Sequence, residues 1–146
     1  MRSVFKLRYD AHMATLDAAD RLDILELLGF YCRCIDTGLW DELPKLFTAD
    51  CRIDGGPIGS YEGTAGVEQM AALLKSLPHV MRHYVTNVAI RAEGNTARTH
   101  AYVLAFTGPG PGQLTPTTGF YEDELVKRDG RWLFRRRNIL LDLPRG

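Results

Sequence analysis

Two residues far apart in the chain have the types that proton transfer needs. Asp36 falls in the last turn of an apolar helical run, where the helix dipole is negative and an anion costs about 0.3–1 kcal/mol. Lysine or arginine would be the locally consistent choice there, and residues that break a local rule are more often functional or specifically paired than others. His83 opens a β-like run, Arg82-His83-Tyr84-Val85-Thr86-Asn87. A carboxylate beside an imidazole fixes the ring's tautomer and stabilises the imidazolium formed when a proton is taken up. Together Asp36 and His83 would make a general base. Apart, they are an aspartate near a turn and a half-exposed strand histidine. Tyr31 is the third candidate, a phenolic donor to a substrate oxygen. It precedes Asp36 by five residues, roughly 140° around an ideal helix. It joins the pair only if both flank one opening, and is otherwise a core tyrosine.

Other constellations carry less chemistry. His79 follows Pro78 in a connection and faces solvent, and no third ligand at fitting spacing completes a metal site with His79 and His83. Cys32, Cys34 and Cys51 lack the second pair that a structural zinc needs, and read as reduced core thiols of a cytoplasmic protein. In Arg135-Arg136-Arg137 strand alternation sends the middle arginine to the opposite face, so the run reads as salt-bridge partners. Gly108 to Gly112 lacks the Lys and Ser/Thr of a phosphate loop.

The elements that must position these residues follow from periodicity. Ile24, Leu28, Tyr31 and Ile35 mark one face of a helix from about Asp17 to Thr37. Leu25, Leu27, Phe30, Cys32 and Cys34 widen its apolar surface, which predicts packing around most of its circumference. A short helix is expected over Asp41–Phe47, a strand over Cys51–Asp54, and a helix after Thr64 that Pro78 closes. Arg82–Ala92 and Thr96–Thr107 then form one hairpin, and Gly119–Lys127 and Arg131–Leu141 another around Asp129-Gly130. Closure between Glu93 and Thr96 pairs His83 near Phe106, on one face. The same register sets His100 beside Ala89, on the face bearing Tyr102. Helices followed by hairpins predict an α+β fold, a curved antiparallel sheet wrapped around the helices and enclosing a pocket.

Composition bounds the rest. The 146 residues suit one domain, and 45% hydrophobic content excludes a disordered chain. Lys+Arg and Asp+Glu number 18 each, which argues against electrostatic capture of nucleic acid or anionic membrane. No apolar run approaches the ~18 residues of a membrane span. His12-Met13 matches a common cloning junction. Residues 1–12 therefore read as a non-native or disordered leader, and 13–146 as the single domain.

The series Tyr31-x-x-x-x-Asp36-x-Gly38-x-Trp40-Asp41-x-Leu43-x-x-Leu46-Phe47-x-x-Asp50, then His83-Tyr84-x-Thr86-Asn87, Gly119-x-Tyr121-x-Asp123 and Asp129-Gly130-Arg131-Trp132-x-Phe134-x-x-Arg137, resembles the SnoaL-like families of the nuclear transport factor 2-like superfamily. Members of scytalone dehydratase, dehydrochlorinase and bile-acid dehydratase type are the nearest in motif. The resemblance covers about Asp17 to Leu141. It implies a cone-shaped α+β barrel with an apolar pocket, a homodimer or higher homo-oligomer joined through outer sheet faces, and no metal or organic cofactor. Carried over, His83 would be the base, Asp36 its orienting partner and Tyr31 a donor to substrate oxygen, with Tyr61, Phe106 and Tyr121 holding the ring of a small hydrophobic ligand. The general acid is left unidentified. Steroid-isomerase-like relatives place a base near Asp54, which strand alternation turns here to the opposite face. The expected activity is a cofactor-independent, dehydratase-type lyase acting on a cyclic or aromatic hydroxy or keto compound. The alternatives are an isomerase, a polyketide cyclase, or a non-catalytic ligand-binding or small-subunit protein.

Overall fold

The structure, a computed structural model, describes residues 16–143, so the expected leader, residues 1–12, lies outside the described residues. Asp17 caps the first helix, α1 (Ala18–Thr37), its carboxylate accepting from the Asp20 backbone N–H at 2.8 Å. Gly38, at φ 75°, ends it in the left-handed conformation and returns its N–H to the Cys34 carbonyl. Ile24, Leu28, Tyr31 and Ile35 are buried along one stripe as the spacing predicts. Packing does not extend around the circumference, however. Leu22 is 65% exposed and Leu25 43%, because α1 lies on the sheet by one side only. The second helix, α2 (Gly63–Ser76), buries Val67, Met70 and Leu74. Over Asp41–Phe47 the expected helix shrinks to a 3₁₀ turn, Leu43–Leu46, because Phe47 is already drawn into the sheet.

Six strands follow the order β2-β1-β6-β5-β4-β3: β1 (Phe47–Asp54), β2 (Ser60–Glu62), β3 (Val80–Glu93), β4 (Thr96–Gly108), β5 (Thr115–Arg128) and β6 (Arg131–Leu141). The sheet curves over the helices as a cone that does not close, the architecture of the nuclear transport factor 2-like fold. It is mixed rather than antiparallel, because β1 runs parallel to β6. Neither β2 nor the first half of β1 carries a sequence signal of its own. One face of β4 is buried through Ala97, Thr99, Ala101, Val103 and Ala105. The start of α1 is tied to the β5–β6 hairpin, since Asp20 accepts from Lys127 Nζ at 2.7 Å and Trp132 Nε1 at 2.8 Å. These two donors, Lys127 first, hold the Asp20 carboxyl below its ordinary range.

A bulge decides where His83 points. Asn87 takes φ 54°, and between Thr86 and Ala89 the β3–β4 register slips by one residue. His100 stays opposite Ala89, as expected, but His83 pairs with Ala105 rather than Phe106. Phe106 is opposite Arg82 and turns to the outer face, where its ring meets Tyr84 at 6.0 Å.

Candidate functional site

Asp36 and His83 meet where the last turn of α1 crosses the beginning of β3. His83 Nδ1 lies 2.6 Å from Asp36 Oδ1, and the His83 backbone N–H donates to Asp36 Oδ2 at 2.8 Å. Both carboxylate oxygens are thus held by one residue, which fixes the carboxylate plane and the imidazole plane together. With a carboxylate as acceptor, Nδ1 carries the hydrogen and Nε2 keeps its lone pair. This contact also resolves the local conflict at Asp36, since two N–H donors and the Arg82 side chain offset the unfavourable helix end. Arg82 Nη1 donates to the Asp36 carbonyl at 3.3 Å. The small Ala105 opposite leaves room for the ring.

The pair is neither exposed nor sealed. The His83 side chain is 12% exposed and that of Asp36 11%. A cavity of about 230 Å³ adjoins both, bounded by Leu25, Leu28, Gly29, Cys32, Val85 and Val88, with Arg33 at its edge. A second cavity, of about 300 Å³, opens on the other side of Asp36 toward Trp40 and the end of α2. Neither holds a carboxyl other than that of Asp36, nor a phenol. Such an arrangement can take a proton from a small molecule with an apolar ring.

Tyr31 and Tyr121 are brought together elsewhere. Their rings stand 6.1 Å apart, edge to face, under the middle of the sheet, and both are buried. Between them lies Arg137, its Cζ 4.1 Å from the Tyr31 centroid, 4.2 Å from that of Tyr121 and 4.2 Å from that of Phe134. Arg137 Nε and Nη2 donate to the two oxygens of Asp123 at 2.7 and 2.8 Å, and Thr99 Oγ1 donates to Asp123 Oδ2 at 3.1 Å. Arg137 Nη1 has no hydrogen-bond partner among the described residues. Burial pushes the Tyr31 phenol up to about 12, partly opposed by the Arg137 charge, and raises Tyr121 well above its ordinary value. Cys32, in the wall between this cluster and the smaller cavity, is likewise pushed up to about 12 by burial.

Tyr31 therefore faces the ion pair, as its angular separation from Asp36 suggests, and lines neither cavity at the dyad. Tyr61 is held in the β2 region by a hydrogen bond from its hydroxyl to the Ile58 carbonyl and also lines neither. Phe106, expected to hold the substrate ring beside His83, is corrected to the outer face by the Asn87 bulge. Asp54 points outward, as expected, to Arg52, Ser60 and Arg136. Sequence reasoning missed Asp123–Arg137 as a unit. A second bulge, between Glu124 and Leu125, shifts the β5–β6 register so that these two residues face each other.

The SnoaL-like domain family matches residues 17–138. An uncharacterised protein of Mycobacterium tuberculosis is 30% identical over 130 residues, 86% of this chain and 87% of that protein. Among solved structures LinA, a hexachlorocyclohexane dehydrochlorinase, superposes with a TM-score of 0.77 at 25% identity, over 86% of this chain and 87% of its own. A candidate scytalone dehydratase from Novosphingobium aromaticivorans does so with a TM-score of 0.77 at 23% identity, over 86% and 85%, a likeness of fold alone. No helix among the described residues is long and apolar enough to cross a membrane. With its helices under an open, curved six-stranded sheet and its sequence matched across nearly all of that fold, the chain belongs to the SnoaL-like family of the nuclear transport factor 2-like superfamily.

Proposed function

We propose that the protein is a cofactor-independent lyase that carries out a dehydratase-type elimination on a hydrophobic cyclic or aromatic hydroxy or keto compound. The observation that carries this reading is the double clamp of Asp36 on His83, at 2.6 and 2.8 Å, at the edge of an apolar cavity. In this reading His83 Nε2 removes a proton from a carbon next to a carbonyl. The electron pair of that C–H bond forms the new double bond as the C–O bond to the hydroxyl breaks. The imidazolium, stabilised by Asp36, hands its proton to the departing oxygen, so that water leaves and the base is regenerated. The likeness to LinA supports an elimination.

An isomerase or polyketide cyclase uses the same first step. In it the imidazolium returns its proton to a neighbouring carbon instead of to a departing oxygen, and like the elimination this asks for no carboxyl or phenol beyond Asp36 among the residues lining the two cavities.

A thermal-shift screen of steroid, terpenoid and polyaromatic ketones and alcohols identifies a ligand, whose turnover is then followed. His83→Ala and Asp36→Asn should each lower turnover by about 10²–10⁴-fold with the circular dichroism spectrum unchanged. Undiminished turnover in His83→Ala removes His83 as the base. Release of water separates elimination from isomerisation, in which deuterium from solvent enters the product without loss of oxygen.

A further inference from the structure

The second cavity, across Asp36 from the first, has a lining that the dyad's chemistry does not explain. It is formed by the end of α1, the end of α2 and the first residues of β3, and its volume is about 300 Å³. That is the lower end of the range for small-molecule sites, enough for one or two rings. Ile35, Trp40, Leu74, Leu77 and Met81 give it an apolar floor with one large aromatic plane. Lys75, His79 and Arg82 stand around its rim, all exposed. Its one carboxylate, Asp36, has both oxygens engaged by His83.

Lys75 and Arg82 differ from the ion-paired cations among the described residues. Lys45, Arg52, Lys127, Arg135, Arg136 and Arg137 each have a carboxylate partner. Among the described residues neither Lys75 nor Arg82 pairs with one, and His79 Nδ1 meets only the Pro78 carbonyl, at 3.1 Å. The helix ends beside them are already answered by backbone, since Leu39 N–H caps the Cys34 carbonyl at 2.8 Å and Leu77 N–H caps that of Leu74 at 3.2 Å.

Arg82 is also oriented. Its Nη1 donates to the carbonyls of Met81, at 2.6 Å, and Asp36, at 3.3 Å, which holds the guanidinium plane against the backbone. The remaining edge, Nε with Nη2, is the side-on fork that matches the two oxygens of a carboxylate.

We propose that this cavity is a binding site for an aromatic or alicyclic carboxylate. The ring lies on Trp40 and the leucines, the Arg82 fork grips the carboxylate, and Lys75 adds positive potential at the mouth beside the His79 imidazole. The assignment rests on the cavity with Lys75 and Arg82 at its rim and goes beyond the chemistry assigned to His83. Loss of turnover in His83→Ala neither supports nor weakens it.

Isothermal titration calorimetry with 2-naphthoate and its neutral isostere 2-naphthalenemethanol tests it on the full chain at pH 7. Wild type should bind the acid about tenfold tighter than the alcohol, with the Trp40 indole N–H resonance shifting and that of Trp132 fixed. Arg82→Gln should bring the two ligands to within about twofold of each other, and Arg82→Lys, which keeps the charge but loses the fork, should fall between. Arg33→Gln, at the other cavity, should keep the full preference. Equal affinities in wild type, a preference that survives Arg82→Gln or is lost in Arg33→Gln, or no binding of either compound up to its solubility limit would each overturn the proposal.

Discussion

At two places in this fold a carboxylate grips a nitrogen-bearing side chain through two hydrogen bonds, with opposite consequences for access. At the centre of the sheet Arg137 and Asp123 are both 0% exposed, doubly hydrogen-bonded and walled by Tyr31, Tyr121 and Phe134. At the end of α1, Asp36 and His83 are also doubly hydrogen-bonded, yet a cavity of about 230 Å³ reaches them. In the first pair the guanidinium does not give up a proton at ordinary pH, and neither cavity at Asp36 is lined by Arg137. The second couples an orienting carboxylate to the one side chain type whose ordinary titration falls near neutrality. Hydrogen bonding to a carboxylate orders a nitrogen-bearing side chain in both places. Proton transfer needs, in addition, an exchangeable proton and a way in, and of these two pairs Asp36–His83 is the one beside a cavity.

The contrast can be broken first on the stability side. Asp123→Ala leaves Arg137 charged and unpaired in the core and should cost about 3–5 kcal/mol in urea unfolding, or prevent folding. A loss under about 1 kcal/mol would mean that the site is wetter than the structure indicates. Next is the wall between the two regions. Burial raises the Cys32 thiol to about 12, so its thiolate fraction at pH 8 is roughly 10⁻⁴. Iodoacetamide should therefore modify it about 10³-fold more slowly in native than in unfolded protein. Site-resolved mass spectrometry reads this out, and fast native labelling would show the wall to be open. The smallest expected effect is the thermodynamic one at the dyad. Asp36→Asn keeps the shape and one acceptor, and should cost only about 0.5–1.5 kcal/mol in the same urea titration. A cost as large as that of Asp123→Ala would make the dyad a structural pair.

Helix periods, hairpin turns and their order were legible, and with them the α+β class, whereas the pairing of Asp36 with His83 stood as a condition that only the family resemblance supported. Asp36 stood out because its charge conflicts with its helix end, and that local conflict is what His83 relieves. What could not be read was register. A bulge costs one residue and leaves only a faint trace in composition, here Asn87 at φ 54°. It moved Phe106 to the outer face and placed Ala105 opposite His83. The corresponding slip in β6 created the Asp123–Arg137 pair, which alternation read from Asp129-Gly130 alone would have split. The parallel β1–β6 pairing was hidden for a different reason, since parallel contacts join segments far apart in sequence with no turn to announce them. Tyr61 is occupied by a bond within its own loop, which a residue type cannot reveal.

The central claim is that Asp36 holds His83 with its proton on Nδ1 and its lone pair on Nε2. Long-range ¹H–¹⁵N NMR of uniformly ¹⁵N-labelled protein reads this directly from the two ring nitrogens of His83, at a pH where the imidazole is neutral. The geometry predicts a protonated Nδ1 and a bare Nε2 in wild type, with the preference weakened in Asp36→Asn. A wild-type ring carrying its hydrogen on Nε2 would contradict the account, because the atom assigned to take the substrate proton would already hold one.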